Sequence, residues 1–260
     1  MTPQDRPKIE KGYTDNNGNY FNINNVIFPI NNTPYCFGEF ITSSHDDENI
    51  NFSDEEVGKQ IYRAYDDQNK GYRIYKDLFF WTDNFICYEG VFDARLVAKL
   101  QEKQSKIKLT DFPTGVVTIN NSVIGQEIPF YSDYVDLHRF GNIAGRERND
   151  LDILTNLKSA YLSIVESIEE MVDNNISYTD IHRGNFLVNK KDFSKTKVID
   201  FEDLYIKFGV PNAIDVYTMV TSLTEMFDKV NWAAGIEYEF EDLDTKNPFK
   251  DLKQKIKTFK

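Results

Sequence analysis

Two short strand-forming stretches joined by a mostly polar run constrain this chain more than any other feature of its sequence. The stretches are Phe186-Leu-Val188 and Lys197-Val-Ile199, and residues 189–196 lie between them. This pattern predicts a β-hairpin, because strand-forming runs that flank a polar turn segment pair antiparallel. Pairing of the two stretches would bring Asn185 and Asp200 to the same end of the hairpin.

The side chains at that end suit a magnesium ion bound to phosphate. An amide oxygen from Asn185 and a carboxylate from Asp200 are hard-oxygen ligands, which Mg²⁺ accepts while it keeps waters and phosphate oxygens as its other ligands. Asp180 lies on the loop that enters the hairpin. A carboxylate there can accept the proton of a substrate hydroxyl that attacks a metal-bound γ-phosphate. The pattern therefore predicts Asp180 as the catalytic residue and Asn185 and Asp200 as metal ligands.

The spacing Asp180-x-His-x-x-Asn185, with two hydrophobic residues, Asp200 and Phe201 further on, resembles a known pair of motifs. They are the catalytic loop and metal-binding motif of the protein-kinase-like superfamily, which includes eukaryotic-type protein kinases and the aminoglycoside and choline phosphotransferases. The Asp-x-His-x-x-Asn form is closer to the bacterial and small-molecule members. The resemblance implies ATP and Mg²⁺ as cofactors.

Two positions of these motifs depart from the family pattern. Tyr178 stands where the family usually has His, and Glu202 stands where protein kinases usually have Gly. Neither departure removes the proposed base or a proposed metal ligand. The resemblance implies that His182 is a structural residue of the catalytic loop rather than a second base.

The composition indicates a folded chain and excludes some partners. The chain has 260 residues, of which 40% are hydrophobic, so it can bury a substantial core. Its net charge of −12 disfavours nonspecific binding to nucleic acid and to anionic membranes. Cys36 and Cys87 form neither a metal-ligand cluster nor a disulfide framework, which indicates a reducing compartment. Without a signal-peptide-like start or an apolar run of roughly 18 residues, the chain is predicted to be cytoplasmic.

The resemblance implies an α+β fold with two lobes, in which a small antiparallel β N-lobe precedes a compact, mainly helical C-lobe. Residues 1–55 are rich in Asn, Asp and Thr, and we interpret them as an extension that is partly disordered or supplies docking strands. Residues 56–131 are predicted to form the N-lobe and residues 132–260 the C-lobe.

Several residues of the predicted N-lobe are candidates for binding ATP. Gly58 is either a remnant of the glycine-rich loop that covers phosphates or an ordinary turn glycine. The phosphate clamp is either Arg73 or Lys76, which point to opposite faces of a strand. We favour Arg73 slightly, because Gly71 then supplies the small residue expected against adenine, whereas Lys76 is the usual residue type but places Ile74 there.

The predicted helix within residues 83–103 supplies the acid that would pair with this clamp. Asp93 fits the expected register, and Glu89 lies one turn earlier; either acid can instead mark an exposed helix face. The backbone of roughly Pro129–Ser132 corresponds to the hinge that binds the adenine edge in the family.

The second half of the chain has two long helical patterns. One begins near Asn149 and ends near Asn174, and its apolar stripe is predicted to be core. The other begins at Asn212-Ala-Ile-Asp215, which resembles a capping box. Asp215 is either a first-turn carboxylate or a brace for the catalytic loop, and the two roles are compatible. One short helix is predicted near the end of the chain.

Together these features predict transfer of the γ-phosphate of ATP to a hydroxyl acceptor, with protein Ser/Thr slightly favoured. The separation between hinge and Asp180 resembles that of protein kinases, whereas the short segment after Asp203 offers little platform for a peptide. A small-molecule kinase of the aminoglycoside or choline type is one alternative. A pseudokinase that binds nucleotide or acts as a scaffold is the other, because the glycine-rich loop is missing and the clamp is ambiguous.

Overall fold

A computed structural model gives the fold of the chain. It describes residues 13–14, 20–21, 27–30, 33–40, 59–64, 67–75, 88–119, 122–146, 152–201, 205–240 and 243–259. These residues form antiparallel sheets and five α-helices, so the predicted α+β class is confirmed at this coarse level. The chain divides into two compact units. The first contains the described residues up to Glu102 and Phe112–Ser132, and the second contains Lys103–Asp111 and the described residues from Asp133 onwards.

The strands, in chain order, are β1 (Tyr13–Thr14), β2 (Tyr20–Phe21), β3 (Ile27–Ile30), β4 (Thr33–Phe40), β5 (Lys59–Ala64), β6 (Lys70–Tyr75), β7 (Gly115–Ile119), β8 (Ser122–Pro129), β9 (Tyr134–Asp136), β10 (Ile176–Tyr178), β11 (Phe186–Asn189), β12 (Thr196–Val198) and β13 (Ile206–Phe208). The helices are α1 (Tyr88–Gln104), α2 (Leu137–Arg146), α3 (Asp152–Asp173), α4 (Ala213–Ala234) and α5 (Pro248–Thr258).

The first unit is built on a six-stranded antiparallel sheet with the order β3-β4-β5-β6-β8-β7. Residues 67–69 form a turn that leads into β6, in which the Asp67 side chain accepts a hydrogen bond from the Asn69 N–H at 2.9 Å. Such Asx turns are typical where an Asp begins a reversal of the chain. β6 lies inside the sheet, paired with β5 and β8, and its successive residues Tyr72 and Arg73 are both buried. Since successive side chains of a strand point to opposite faces, both faces of β6 are covered at this point.

Helix α1 belongs mainly to this first unit. Its Leu96, Val97 and Leu100 are buried, which matches the helical spacing seen in the sequence. The helix ends at Gln104, one residue beyond the predicted end, and the predicted first residues 83–87 lie outside the described part of the chain.

The core of the second unit is formed by α3, α4 and α5. Fully buried positions recur along α3 at helical spacing, including Leu157, Tyr161, Ile164 and Ile168. The Tyr161 ring stacks on Phe227 of α4 with centroids 4.1 Å apart. Its hydroxyl donates to Asn231 Oδ1 at 2.9 Å, so this buried polar group is satisfied. Burial, helped by the charge of Asp228, holds the pKa of Tyr161 well above its ordinary value.

Two small antiparallel sheets in the second unit carry the candidate site. One has the order β12-β11-β9, and the other pairs β10 with β13. The predicted hairpin is therefore present as β11 and β12. Its second strand is Thr196–Val198 rather than residues 197–199, because Thr196 is buried and shares a hydrogen bond of 2.8 Å with Ser163 of α3. None of the described helices is both long enough and apolar enough to span a membrane.

Candidate functional site

The open end of the β11–β12 hairpin brings together the chain segments that carry the predicted metal ligands. Phe186 pairs with Val198, and the Ile199 N–H donates to the backbone oxygen of Asn185 at 2.9 Å. Asn185 and Asp200 therefore leave the hairpin at the same end, as the sequence predicted. The Asn185 backbone is held to the segment that leads into Asp200 by a direct hydrogen bond.

Asn185 also connects this end of the hairpin to Asp180. Its Nδ2 donates to the Asp180 backbone oxygen at 3.1 Å and to Asp180 Oδ2 at 2.8 Å. Both partners are acceptors, so the orientation of the amide is determined. No described residue donates a hydrogen bond to Asn185 Oδ1. The residue is 3% exposed, so its oxygen is an acceptor held in a fixed place rather than a solvated surface group.

The backbone of Asp200 has an unusual conformation. Its φ is +66°, in the left-handed region that residues other than glycine rarely adopt. Asp and Asn tolerate this region better than other side chains, but such conformations still carry a cost. Backbone outliers of this kind cluster at functional sites, where the surrounding structure holds them in place.

Tyr178 contributes to holding Asp200. It is fully buried at the end of β10, and its hydroxyl donates to the Ile199 backbone oxygen at 3.0 Å. Its ring also contacts Phe186 and Phe201, with centroids 6.4 and 5.7 Å away. One side chain thus touches the residues next to both predicted metal ligands. Tyr178 therefore places a buried hydrogen-bonding group beside Ile199.

A short 3₁₀ helix, Arg183–Asn185, follows Asp180, and His182 caps its N-terminus. The ring Nδ1 accepts the Gly184 N–H at 3.2 Å, while Nε2 lies 3.7 Å from Asp180 Oδ1. The imidazole therefore faces the loop backbone with one nitrogen and the Asp180 carboxylate with the other.

The available oxygen ligands fit magnesium better than a metal held by protein groups alone. The described residues contain no group of three or more His, Cys, Asp or Glu side chains arranged to hold a metal ion. What this end of the hairpin offers is the Asn185 amide oxygen and the Asp200 carboxylate. Mg²⁺ commonly uses one or two such protein ligands and completes its shell with water and substrate phosphates. The residues present therefore fit that ion.

The structure describes only some of the predicted nucleotide-binding residues. Arg73 lies in β6 opposite Gln126 of β8, and it is 6% exposed. Gly58 and Lys76 lie outside the described residues, so the choice of clamp stays a prediction. Asp93 and Glu89 lie within α1, but their side chains are outside the described part of the structure.

The predicted hinge, roughly Pro129–Ser132, begins at the last residue of β8. The Phe130 N–H, inside the predicted adenine-binding stretch, donates to the Asn69 backbone oxygen at 2.8 Å. That N–H is already engaged within the first unit. Adenine recognition by this stretch would therefore rely on its other backbone groups.

Asp215 lies in the first turn of α4, as the capping pattern predicted. The Asn212 side chain accepts the Asp215 N–H at 2.8 Å. The Asp215 carboxylate makes no hydrogen bond or ion pair with any residue in the described ranges. The capping role of Asn212 is thus present, whereas the described residues show no brace from Asp215 to the predicted catalytic loop.

Two elements beside the candidate site, β9 and α2, were not predicted from the sequence. β9 pairs with β11, and α2 packs against the 3₁₀ helix and β11. The Asp136 side chain accepts the Arg139 N–H at 2.8 Å in the first turn of α2. An Asp followed three residues later by a residue whose N–H it can accept is a recognisable cap, and this signal could have predicted the start of α2.

No model of a known protein family matches this chain, and no curated protein is significantly similar to it in sequence. The geometry of Asp180, Asn185 and Asp200 is therefore the basis for assigning a function.

Proposed function

We propose that this chain is a kinase-like, bilobal phosphotransferase that uses ATP and Mg²⁺ to transfer a γ-phosphate to a hydroxyl group. The observation that carries the proposal is the placement of Asn185, whose side-chain nitrogen donates to Asp180 and whose backbone oxygen accepts the Ile199 N–H next to Asp200. One buried residue, itself a proposed metal ligand, thereby connects the proposed base with the segment that leads into the other proposed ligand, Asp200. A hairpin with no chemical role would not need to bury an amide between two carboxylate-bearing segments.

Asp180 would orient the acceptor hydroxyl and accept its proton. One oxygen of its carboxylate is held by Asn185, so the group has a defined direction before substrate binds. Asn185 Oδ1 and the Asp200 carboxylate would hold Mg²⁺, which when bound neutralises charge on the β- and γ-phosphates. Arg73 remains the preferred prediction for the phosphate clamp. Catalysis would arise mainly from positioning and electrostatic stabilisation, since phosphoryl transfer demands little covalent chemistry from the protein.

A protein Ser/Thr is the slightly favoured acceptor. Between β9 and β10 the described residues form two helices, α2 and α3, and no further helix that would build a separate pocket for a small molecule. A small-molecule acceptor of the amino-alcohol or aminoglycoside class is the second candidate, because the Asp-x-His-x-x-Asn spacing resembles that group.

The first test is thermal melting of the protein with millimolar ATP, with and without Mg²⁺. Nucleotide at about 100 times its Kd stabilises a protein by about 2.7 kcal/mol, which corresponds to a rise in Tm of about 5–10 °C for a chain of this size. The rise should require Mg²⁺ and should be lost in Asp200→Asn. Asn is a better replacement than Ala here, because it tolerates the left-handed backbone while removing the charge.

Asp173→Asn is the matched control for that melt. Asp173 is an exposed residue at the end of α3, and its replacement changes the net charge equally. The proposal is wrong if ATP produces no shift under any condition, or if the two variants respond alike. Given a Mg²⁺-dependent shift, Ser/Thr peptides and amino-alcohols would be tested as acceptors with Asp180→Asn as the inactive control. Binding without transfer to any acceptor would identify the pseudokinase alternative.

A further inference from the structure

The surroundings of the His182 imidazole determine which of its two ring nitrogens carries the proton. The Gly184 N–H points at Nδ1 from 3.2 Å, and a backbone N–H can only donate. Nδ1 must therefore be the unprotonated nitrogen of a neutral ring, which leaves the proton on Nε2. The extended backbone of His182, with φ −146° and ψ 159°, is the usual conformation of a capping residue.

The protonated nitrogen faces the proposed base. Nε2 lies 3.7 Å from Asp180 Oδ1, while the other carboxylate oxygen, Oδ2, accepts from Asn185 Nδ2 at 2.8 Å. The two oxygens of Asp180 thus face two different donors. A separation of 3.7 Å exceeds a hydrogen bond. Donor–acceptor pairs at catalytic groups are often long without substrate and shorten when substrate binds.

We propose that His182 is a positioning residue for Asp180, resting on the phosphotransferase function proposed above. The backbone N–H of Gly184 fixes the ring, which keeps Nε2 at 3.7 Å from Asp180 Oδ1. With Asn185 on the other oxygen, the Asp180 carboxylate cannot rotate freely about its Cβ–Cγ bond. One face of the carboxylate is thereby kept towards the incoming hydroxyl. His182 does not itself accept the substrate proton.

Two substitutions test the roles of the two ring nitrogens separately. In His182→Asn the shorter amide reaches the position of Nδ1, and Asn is a good helix cap, so the Gly184 contact is kept while the donor to Asp180 is lost. In His182→Gln the longer amide places its NH₂ near the position of Nε2, so the donor is kept while the cap is lost. The two variants are therefore matched in chemistry and opposite in what they preserve.

The test is turnover of Mg²⁺–ATP by wild type and both variants. The assay uses a hydroxyl acceptor if one has been found, and otherwise measures ATP hydrolysis, in which water is the acceptor. We expect His182→Asn to melt like wild type but to lose about tenfold or more in kcat, with the KM for ATP within about twofold. His182→Gln should melt at a lower temperature but keep kcat within about threefold of wild type. A purely structural His182 would give the reverse, with activity following the melting temperature, and that result would overturn the proposal.

A second measurement does not depend on catalysis. Nitrogen-15 NMR of the ring at about pH 8, where an unperturbed imidazole is neutral, should show the proton on Nε2. A proton on Nδ1 would overturn the positioning role whatever the chain binds. Failure of the proposed function would instead show in wild type, as the absence of a Mg²⁺–ATP shift. The two failures are thus distinguishable.

Discussion

At the scale of single residues, the second unit contains a carboxyl group that destabilises the fold at neutral pH. Burial raises the pKa of Asp228 in α4, the N–H of Phe240 that donates to it at 3.0 Å lowers it, and the carboxylates of Glu239 and Glu225 raise it further. The net result is a raised pKa. The folded chain therefore holds this proton more tightly than the unfolded chain does. The stability that this group contributes is complete below its unfolded pKa of about 3.9, and it is lost as the pH rises through the folded pKa.

Asp228→Asn should therefore raise the Tm at pH 7 while keeping an oxygen that accepts the Phe240 N–H. Because Asp228 is only partly buried, solvent limits the gain to about 1–3 °C. The gain should shrink as the pH falls towards about 4, where the wild-type carboxyl is protonated. Melting curves across this pH range test the prediction, and Glu166→Gln, at an exposed position that is not among the charges acting on Asp228, controls for the loss of one negative charge. A gain in Tm that does not depend on pH would contradict it.

The residues of the candidate site were predictable to different degrees. Asp180, Asn185 and Asp200 follow from their spacing around a hairpin, because a local motif determines their separation. The left-handed conformation of Asp200 and the hydroxyl contact of Tyr178 with Ile199 depend on how β10 meets the hairpin, which residue spacing does not encode. The orientation of the His182 ring likewise depends on one backbone N–H of the 3₁₀ helix.

At the scale of elements, local sequence patterns predicted helices and hairpins, whereas strand pairings between residues distant in sequence were not predicted. The apolar spacing of α3 and α4 is visible in the sequence, and both helices are present close to the predicted positions. The pairing of β9 with β11 and of β10 with β13 joins three-residue strands that carry no strong local signal. β12 begins and ends one residue earlier than predicted, because the tertiary contact between Ser163 and Thr196 places Thr196 in the strand.

One element-level contact gives a direct stability test. The Glu170 carboxylate on α3 accepts the N–H groups of Lys108 at 3.1 Å and Leu109 at 2.8 Å, and so holds the segment Lys103–Asp111 within the second unit. Hydrogen bonds to a charged group are stronger than neutral ones, but exposure of these N–H groups to solvent reduces their net value. We expect Glu170→Ala to lower the free energy of unfolding by about 1–2 kcal/mol.

Urea unfolding monitored by far-UV circular dichroism measures this change as a lower midpoint at an unchanged m-value. Glu166→Ala is the matched control, because Glu166 lies one turn earlier on α3, is exposed, and makes no hydrogen bond or ion pair with any residue the structure describes. If both variants unfold at the same urea concentration, the Glu170 contact does not contribute to stability.

At the scale of the whole molecule, the chain carries a large excess of negative charge. The chain has 42 acidic residues against 30 Lys and Arg, which gives a net charge of −12. A large net charge of one sign destabilises a compact state through self-repulsion. Among the described residues, close ion pairs such as Lys197–Asp111 and Lys253–Glu169, each at 2.6 Å, act in the opposite direction. Pairs that are partly exposed contribute little each, with a median of about 0–1 kcal/mol.

Salt should therefore stabilise this chain rather than destabilise it. Raising NaCl from about 10 to about 150 mM shortens the Debye length from about 30 to about 8 Å, which screens long-range repulsion more than it screens contact pairs. We expect the Tm at pH 7 to rise by about 2–4 °C, equivalent to about 1 kcal/mol. NaCl is preferable to sulfate, because sulfate also strengthens apolar burial. A falling Tm would mean that the contact ion pairs outweigh the net charge, and Lys253→Met would then be expected to remove part of the salt dependence.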